Sequence, residues 1–295
     1  MVLLSALMYV SSKPPSHFWA AFKLQKWGVL MDCVKISLSR DIEMIELHTL
    51  ADLHIGDAHC DYDLVERRIE YIKNTPNAYC IINGDICDNA TKTSIGDTYT
   101  QVFNPMAQID KAVTLFTPIK HKILGISQGN HEARSYNKEG INITKIVAAQ
   151  LGLLDKYTDT GAVLFLRFGV APGGRKETNG SGKSRKICYT IYFTHGRGGG
   201  RKEGAKAIRL ADMASIVDTD VYIHSHTHLP LTFKQDYFRV DPRNSKISQV
   251  TKLFVNTSAM LNYGGYGQVN EFKPSSKDCP VIYLSGRRKK AEVLL

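Results

Sequence analysis

The chain has 295 residues, of which 43% are hydrophobic and 22% are charged, and its formal net charge is +10. This composition is typical of a globular protein and excludes a disordered, collagen-like or multi-pass membrane protein. The positive charge favours a polyanionic partner, such as nucleic acid, a phosphorylated substrate or an anionic surface. A basic surface without such a partner explains the charge equally well.

Residues 1–43 are interpreted as an N-terminal extension of uncertain role, because the first buried β-rich run comes only after them. Residues 1–10 are apolar, but no basic region precedes them and no small-residue cleavage site follows, so a signal peptide is not expected. Residues 17–30 have the pattern of a loose amphipathic helix. Natural starts at Met31 or Met44 are alternatives. No run of about 20 apolar residues occurs anywhere, so no membrane span is predicted.

The six cysteines include no C-x-x-C pair, so neither a zinc ribbon nor a thioredoxin-type motif is present. Cys80 lies within an apolar run and Cys188 beside one, as expected for reduced thiols in a core. A cytoplasmic location follows from this interpretation, because thiols stay reduced in that compartment.

From residue 45 onward, short apolar runs rich in β-formers alternate with stretches of helical periodicity. The predicted strands are Ile45–Ala51, Tyr79–Asn83, Ile123–Ser127, Tyr189–Thr194, Val221–His224, Leu253–Asn256 and Val281–Leu284. Helical spacing joins Val65, Ile69 and Ile72, then Ile143, Val147 and Leu151, and then Leu210, Met213 and Val217. Several strands are apolar on both faces, which is typical of a layered core. The pattern predicts an α/β fold over residues 44–295, an αββα sandwich of two mixed β-sheets flanked by helices.

One insertion stands out within this domain. Residues 171–186, APGGRKETNGSGKSRK, lie between the strand-like runs Leu164–Val170 and Ile187–Thr194. We interpret them as the tip of a hairpin that is glycine-rich and basic. A second basic cluster, residues 287–290, lies near the end of the chain.

Five successive predicted strands are each followed by polar residues of the kind that ligate metals. In chain order these are Asp52 and His54, Asp85 and Asp88, Asn130 and His131, His195, and finally His226 and His228. In open α/β sheets, ligands and catalytic groups collect at the carboxyl ends of the strands. A single D-x-H is usually a surface turn, and a single H-x-H is usually two histidines on one strand face. Five such sites in order indicate one shared centre.

The residue types at these positions indicate a metal centre. Carboxylate, amide oxygen and imidazole suit hard and borderline divalent ions, and the absence of cysteine argues against a structural zinc cage or an iron–sulfur cluster. The seven candidate ligands are Asp52, His54, Asp85, Asn130, His195, His226 and His228. They are too many for one ion, so we expect two divalent ions that share a carboxylate. Manganese is the favoured metal, and iron or zinc is compatible with the same ligands.

The order D-x-H, G-D-x-x-D, G-N-H-E, H-G and H-x-H resembles the calcineurin-like metallophosphoesterase superfamily, in particular its stand-alone bacterial or phage-type members, over residues 45–228. The resemblance implies a two-sheet sandwich with a dinuclear site at the strand ends. It assigns one metal to Asp52, His54, Asp85 and His228, and the other to Asp85, Asn130, His195 and His226, so that Asp85 bridges. It also implies that His131 is the catalytic histidine and that Asp88 is its carboxylate partner.

The sequence departs from the superfamily pattern at two positions. Ser225 replaces the usual glycine before H-x-H, which is tolerable unless the turn demands a positive φ. Asn89 stands where the related protein phosphatases carry a phosphate-gripping arginine, which makes a protein phosphatase less favoured. Arg134 is a candidate substitute, and Arg197 and Arg201 in the glycine-rich turn after His195 are candidate contacts for a substrate phosphate.

The prediction for function is a dinuclear metal-dependent hydrolase of phosphoester bonds. A phosphodiesterase that acts on nucleic acid is favoured by the net charge and the basic insertion. The alternatives are a phosphomonoesterase acting on a small molecule or a protein, and a non-catalytic binding module that kept the fold. Non-catalytic relatives usually lose ligands or the catalytic histidine, whereas this chain has all of them.

Overall fold

Two six-stranded β-sheets form the frame of the fold. The computed structural model describes residues 31–39, 41–92, 94, 98–169, 187–198 and 200–295. The strands are β1 (Asp32–Leu38), β2 (Met44–Leu50), β3 (Ala78–Asn83), β4 (Ile123–Ser127), β5 (Tyr157–Thr158), β6 (Ala162–Phe168), β7 (Ile187–Thr194), β8 (Val221–His224), β9 (Leu231–Asp241), β10 (Lys246–Asn256), β11 (Val281–Ser285) and β12 (Ala291–Leu294). The helices are α1 (Tyr62–Asn74), α2 (Pro105–Phe116), α3 (Asn130–Glu139), α4 (Ile143–Leu151), α5 (Glu203–Asp212) and α6 (Gly265–Val269).

Both sheets are mixed. One has the order β1-β6-β7-β8-β10-β9, and the other has the order β12-β11-β2-β3-β4-β5. In the second sheet β2, β3 and β4 are parallel, and β11 joins β2 in the antiparallel sense. In the first sheet β7, β8 and β10 are parallel, while β9 is antiparallel to β10. The predicted fold, two mixed sheets flanked by helices, is confirmed.

The alternation of side chains along β2 shows how the layers are built. Ile45 and Leu47 lie in the core between the two sheets, whereas Leu50 lies in a second core beneath the helices. Successive strand residues point to opposite faces, so one strand serves both cores. The buried positions of α1 and of α4 cover the second core at the helical spacing predicted from the sequence.

The predicted strands are all present, and several are longer than the sequence indicated. Strand β1 lies inside the stretch 1–43 that the sequence assigns to an extension, and it pairs in parallel with β6. Val34 and Leu38 of β1 are buried in the core between the sheets, so residues 32–38 are part of the sandwich. Residues 1–30, with the helical pattern at 17–30, and residues 170–186, with the basic insertion, lie outside the described residues.

The strands that carry the candidate ligands end at a common edge. β6 and β7 pair in the antiparallel sense, so Phe168 and Ile187, the strand residues on either side of the insertion, lie at the opposite end of the sandwich. At the ligand edge the side chain of Asn83, the last residue of β3, donates to the Thr194 carbonyl at the end of β7 (2.8 Å) and so joins the two sheets. No helix in the described ranges is long and apolar enough to cross a membrane.

Candidate metal centre

Two neighbouring turns of the second sheet form the floor of the centre. The turn after β2 carries Asp52 and His54, and the turn after β3 carries Asp85. Because β2 and β3 are adjacent and parallel, the turns lie side by side. The Asp52 amide donates to the Gly84 carbonyl (3.1 Å), and the His54 amide donates to the Asp85 carbonyl (3.0 Å). Asp52 and Asp85 are almost completely buried.

The first sheet supplies three histidines from the other side. His195 directly follows β7, and His226 and His228 lie in the turn after β8. The backbone amide of His226 donates to Oδ2 of Asp52 (3.1 Å), which fixes the position of this turn relative to the floor. The centre is therefore formed where the carboxyl edges of the two sheets meet.

The backbone at the ligands is unusual. Asp52, His54, Asp85, His226 and His228 all have left-handed φ values, between 48° and 68°. For residues with a Cβ this conformation costs about 1–2 kcal/mol each, and such strain is concentrated at functional sites. The hydrogen bonds between the turns hold the residues in this conformation. As a result, the side chains of these five ligands point toward one another.

One group of ligand atoms combines Asp52, His54 and His228. One atom from each side chain lies within 4.8 Å of the others. Nε2 of His228 is 3.1 Å from Oδ1 of Asp52, and the His228 ring stacks edge-on toward His54 with 5.5 Å between the centroids. The structure thus brings together three of the four ligands predicted for the first metal.

A second group combines Asp85, His195 and His226, again within 4.8 Å. Nε2 of His195 is 3.1 Å from Oδ2 of Asp85 and 2.9 Å from Oδ1 of Asn130. Asn130, the first residue of α3, therefore joins this group. These are the four ligands that the family resemblance assigns to the second metal.

Asp85 lies between the two groups. Its Oδ2 is 4.0 Å from Nε2 of His54 on one side and 3.1 Å from Nε2 of His195 on the other. This position is the one that a bridging carboxylate requires. All seven predicted ligands are brought together, and their assignment to individual ions stays a prediction.

The residues fit a divalent metal centre. Nε2 of His54 is buried and has no hydrogen-bond partner, although it faces Asp85. A buried imidazole nitrogen without a partner is costly, and a metal ion at the point where it meets the carboxylates would satisfy it. The two carboxylates, the amide oxygen and the four imidazoles supply the oxygen and nitrogen donors that manganese, iron and zinc accept.

The charges of the site explain its protonation in the absence of metal. Burial lowers the pKa of His195, but Asp85 and Asp52 outweigh it and raise that pKa to about 10. Burial and the neighbouring His195 lower the pKa of His226 to about 4. Since a ligating imidazole nitrogen must be unprotonated, a metal ion held at the second group would take the place of the proton on His195.

His131 lies beside the ligands but is oriented by Asp88. Its Nδ1 is 2.8 Å from the backbone carbonyl oxygen of Asp88 and 3.1 Å from the Asp88 carboxylate. Both partners are acceptors, so Nδ1 carries a proton, and Nε2 faces the centre, 3.8 Å from Oδ2 of Asp85. Burial lowers the pKa of His131, but the nearby carboxylates outweigh it and leave that pKa raised. Burial raises the pKa of Asp88, but the interactions of its carboxylate with His131 and His54 outweigh it and leave that pKa lowered.

Asn89 and Glu132 support the loops around the centre through hydrogen bonds. The Asn89 side chain points away from the ligands, donating to the His131 carbonyl (2.8 Å) and accepting from Ser135 (3.0 Å). Glu132 is fully buried and accepts from the backbone amides of Asp85, Cys87 and Gly129. Burial and Asp85 raise the pKa of Glu132 to about 7. Glu132 therefore braces the loops that present Asp85 and Asn130.

The replacement of glycine by Ser225 is accommodated by the first sheet's edge. Ser225 is fully buried and is not among the residues with positive φ. Its hydroxyl accepts from the side chain of Asn83 (2.7 Å). The backbone carbonyl oxygen of Asn83 is 2.8 Å from Nδ1 of His195. Asn83 thus orients a ligand and joins the sheets, a role that sequence analysis missed because the residue precedes the motif.

The three candidate phosphate contacts have different surroundings. Arg134 is half-buried and donates to the Asp88 carbonyl (3.3 Å), on the His131 side of the centre. The Arg201 guanidinium lies over the Phe272 ring, 5.3 Å from its centroid. Arg197 is exposed. Lys206, which no sequence motif indicates, donates from its ammonium to the Thr227 carbonyl (2.7 Å) between His226 and His228. The roles of the three arginines at the phosphate stay predictions, whereas Lys206 contacts the turn that carries two ligands.

The two mixed sheets carry groups of histidine and aspartate at their edges that fit a metal site. The family model for calcineurin-like phosphoesterases matches residues 53–230, which is more than half of the chain. The chain therefore belongs to the calcineurin-like phosphoesterase family. No curated protein sequence matches it significantly.

Several solved structures resemble the chain at low sequence identity. A metallophosphoesterase from Sphaerobacter thermophilus is 13% identical with a TM-score of 0.36, and the match covers 85% of this chain and 89% of that one. A Vps29 single mutant from Entamoeba histolytica is 12% identical with a TM-score of 0.36, and the match covers 85% and 98%. A predicted phosphoesterase from Streptococcus pneumoniae is 13% identical with a TM-score of 0.32, and the match covers 85% and 97%.

Proposed function

We propose that this protein is a dinuclear metallophosphoesterase that hydrolyses phosphodiesters, with nucleic acid as its substrate class. The observation that carries the proposal is the position of Asp85 between two groups of metal-ligating side chains, with Nε2 of His131 facing the same carboxylate. A binding module needs neither a second group nor a histidine held outside the ligands.

The ligand groups define where two divalent ions would be held. Asp52, His54, Asp85 and His228 would hold one, and Asp85, Asn130, His195 and His226 would hold the other. When bound, two divalent ions activate a water molecule and bind the non-bridging oxygens of a phosphate. We propose manganese as the natural metal and keep iron and zinc as alternatives, because the mixed oxygen and nitrogen donors suit all three.

His131 would supply the proton that the leaving alcohol requires. Its Nδ1 proton is bound to Asp88, so the proton at Nε2 is the one that faces the reacting phosphate. The neighbouring carboxylates favour the charged imidazole, which is the form that can donate. Arg134, beside the Asp88 carbonyl, is a candidate for neutralising phosphate charge on this side.

Two features favour a diester over a monoester. First, the Asn89 side chain forms hydrogen bonds within the protein. This position therefore lacks the arginine that would bind a doubly charged phosphate monoester. The net charge of +10 suits a polymer with many phosphates better than it suits a small monoester. A phosphomonoesterase remains the alternative function. The two functions predict different preferences between diester and monoester substrates.

A substrate panel tests the proposal. We expect manganese-dependent hydrolysis of bis-p-nitrophenyl phosphate and of single-stranded DNA, slower hydrolysis of p-nitrophenyl phosphate, and loss of all activity after chelation. Preference for p-nitrophenyl phosphate would indicate the monoesterase. Metal binding without hydrolysis of any ester would indicate a non-catalytic module.

We also propose a cytoplasmic location. Four cysteines, Cys60, Cys80, Cys87 and Cys279, are buried thiols that form no disulfide. Burial raises the pKa of Cys60 and of Cys80 to about 12, so these thiols are unreactive core residues. This pattern suits a reducing compartment.

A further inference from the structure

A chain of side chains leads from helix α2 to the catalytic histidine. We propose that Gln101 is a positioning residue that fixes the Asp88 carboxylate and, through it, His131; the inference rests on the proposed function. Nε2 of Gln101 donates to Oδ2 of Asp88 (3.1 Å). Gln101 lies in the long connection between β3 and α2 and belongs to none of the five strand-end motifs.

The orientation of the Gln101 amide follows from fixed backbone groups. Gln108 of α2 is fully buried, and its Oε1 accepts from the backbone amide of Asn89 (2.9 Å). Its Nε2 donates to the carbonyl of Phe103 (2.8 Å) and to Oε1 of Gln101 (2.7 Å). A backbone N–H can only donate and a carbonyl can only accept, so the Gln108 amide has one orientation. Gln101 must then accept with Oε1 and present its Nε2 to Asp88.

The two carboxylate oxygens of Asp88 have different partners. Oδ2 is engaged by Gln101, which leaves Oδ1 for Nδ1 of His131 (3.1 Å) and for the more distant Nδ1 of His54 (3.7 Å). A carboxylate held on one side cannot rotate freely about its χ2 bond. Gln101 therefore keeps Oδ1 directed at the imidazole of the proposed acid.

The segment that carries Gln101 is anchored independently of this bond. The amide of Val102 donates to the Gly56 carbonyl (2.9 Å), in the turn that follows the first ligands. Gln108 packs directly on Gly56, where an added Cβ would clash with its amide. Gly56 has a φ of +106°, so this position requires glycine for both reasons. Removing the Gln101 amide alone should leave the segment in place.

The consequence for catalysis depends on the leaving group. An alkoxide needs a proton as it departs, whereas p-nitrophenolate leaves almost unaided. Positioned acid catalysis contributes about 10²–10⁴-fold, and a misplaced acid forfeits part of it. Loss of Gln101 should therefore slow the cleavage of an alkyl diester more than that of a p-nitrophenyl diester.

The experiment compares two substrates that share one phosphoryl group, dithymidine monophosphate and the p-nitrophenyl ester of thymidine monophosphate, with manganese. Gln101→Leu removes the donor at similar volume, and Gln101→Glu places a second carboxylate against Asp88. We expect kcat for the dinucleotide to fall about tenfold more than kcat for the p-nitrophenyl ester, within the range of acid catalysis. KM and bound manganese should be unchanged, since Gln101 touches neither substrate nor ligand. Gln101→Glu should show the larger selectivity.

The matched control is Gln249→Leu, which removes an amide that also donates to a carboxylate, that of Asp236 (2.6 Å), on the exposed β9–β10 hairpin. It should change neither rate. A double-mutant cycle separates positioning from a general structural effect: in a His131→Ala background, Gln101→Leu should cause no further loss.

Three results would overturn the inference. Equal losses on the two esters would mean that Gln101 does not act through the acid, and so would additive losses in the double mutant. Loss of manganese in both Gln101 variants would mean that the residue supports the metal centre instead. If the wild-type protein cleaves neither ester, the proposed function itself fails, an outcome that is visible before any variant is compared.

Discussion

At the scale of single residues, the centre depends on backbone conformations that a sequence does not display. The five ligands with positive φ belong to D-x-H, G-D and H-x-H, motifs that identify the residue types but not the strain. Asn89 shares this conformation, with a φ of 45°, and its side chain supports His131. The sequence therefore predicted which residues meet, while the supports at Asn83, Gln101 and Lys206 became visible only through tertiary contacts.

The first prediction concerns the shared carboxylate. Asp85→Asn should abolish hydrolysis and lower the bound metal, because an amide cannot serve two ions as a bridging anion. Metal content by elemental analysis and turnover of bis-p-nitrophenyl phosphate are the measurements. Asp61→Asn is the control, because Asp61 caps α1 and pairs with Lys277 (2.6 Å) outside the centre. This variant should keep both its bound metal and its turnover. Full metal occupancy with normal turnover in Asp85→Asn would contradict a dinuclear centre.

The second prediction separates acid catalysis from metal binding. His131→Ala should retain both metals and lose far more rate on DNA than on a p-nitrophenyl ester, because only the alkoxide needs a proton. Asp88→Asn should show the same selectivity to a smaller degree. The Asp88 backbone carbonyl still holds Nδ1 of His131 in that variant, so the ring keeps its orientation and loses only the neighbouring charge.

The outcome for metal content decides between roles for His131. Equal losses on both ester types, with metals retained, would show that the imidazole stabilises charge on the phosphoryl oxygens. Loss of metal from His131→Ala would show that it is a ligand, and the division of the seven residues between two ions would be wrong.

At the scale of elements, strands with both faces buried were predicted well. The burial patterns of β4 and β8 are continuous, and both were visible as short apolar runs. Strand β9 was missed because most of its residues are exposed, so it shows no buried face, and its pairing with β10 defines it. Helix α3 was missed because Glu132 is its only buried residue, which leaves no apolar periodicity.

The start of helix α2 is marked in the sequence by a capping residue and a proline. Asn104 caps its first turn by accepting from the Ala107 amide (3.0 Å), and Pro105 occupies the first helical position. Asn-Pro before an apolar run is a recognised helix start. This start places Gln108 on a helix, and Gln101 in the segment directly before that helix.

The third prediction concerns the end of helix α1. Lys122 is buried, and its ammonium donates to the carbonyls of Ile72 (2.6 Å), Lys73 (3.3 Å) and Thr75 (2.5 Å). Lys122→Met leaves these last carbonyls without a donor and should lower the free energy of unfolding by about 2 kcal/mol. Chemical denaturation measures the loss. Lys120→Met, an exposed neighbour, is the control, and an equal effect from both would show that the bonds contribute nothing specific.

At the scale of the whole molecule, we expect the sandwich to require its edge strand β1, which pairs with β6, and not to require residues 1–30. A protein that begins at Met31 should fold and keep activity, since β1 and every ligand are retained. A protein that begins at Met44 lacks β1, which exposes β6 and removes Val34 and Leu38 from the core. We expect it to be clearly less stable in thermal denaturation. Insoluble protein from the Met31 start would show that the residues before it belong to the core.

The basic clusters of the chain adjoin strand ends that lie far from the metal ligands. Binding of a long polyanion can therefore be tested separately from catalysis. Strand β7 has 8 residues and ends directly before His195, so at about 3.3 Å per residue its first residue, Ile187, lies about 26 Å from the ligands. The insertion precedes Ile187 in the chain. The cluster at residues 287–290 follows β11, which runs antiparallel to β2, and so lies at the same far end. In that cluster Lys289 and Lys290 are already paired with Asp220 and Glu292. The insertion is therefore the better candidate for an added contact with nucleic acid.

The last prediction follows from this separation. Neutralising the basic residues of the insertion, Arg175, Lys176, Lys183, Arg185 and Lys186, should weaken binding of long single-stranded DNA and flatten its salt dependence, because each phosphate contact releases counterions. Hydrolysis of a dinucleotide or of bis-p-nitrophenyl phosphate should not change, since neither reaches from the centre to the far end. Replacing Lys289 and Lys290 with glutamine is the control and should have a smaller effect, as their charges are balanced by acids. Unchanged affinity for long DNA would show that the insertion is only a solvated surface, and slower turnover of the small ester would show that it reaches the centre.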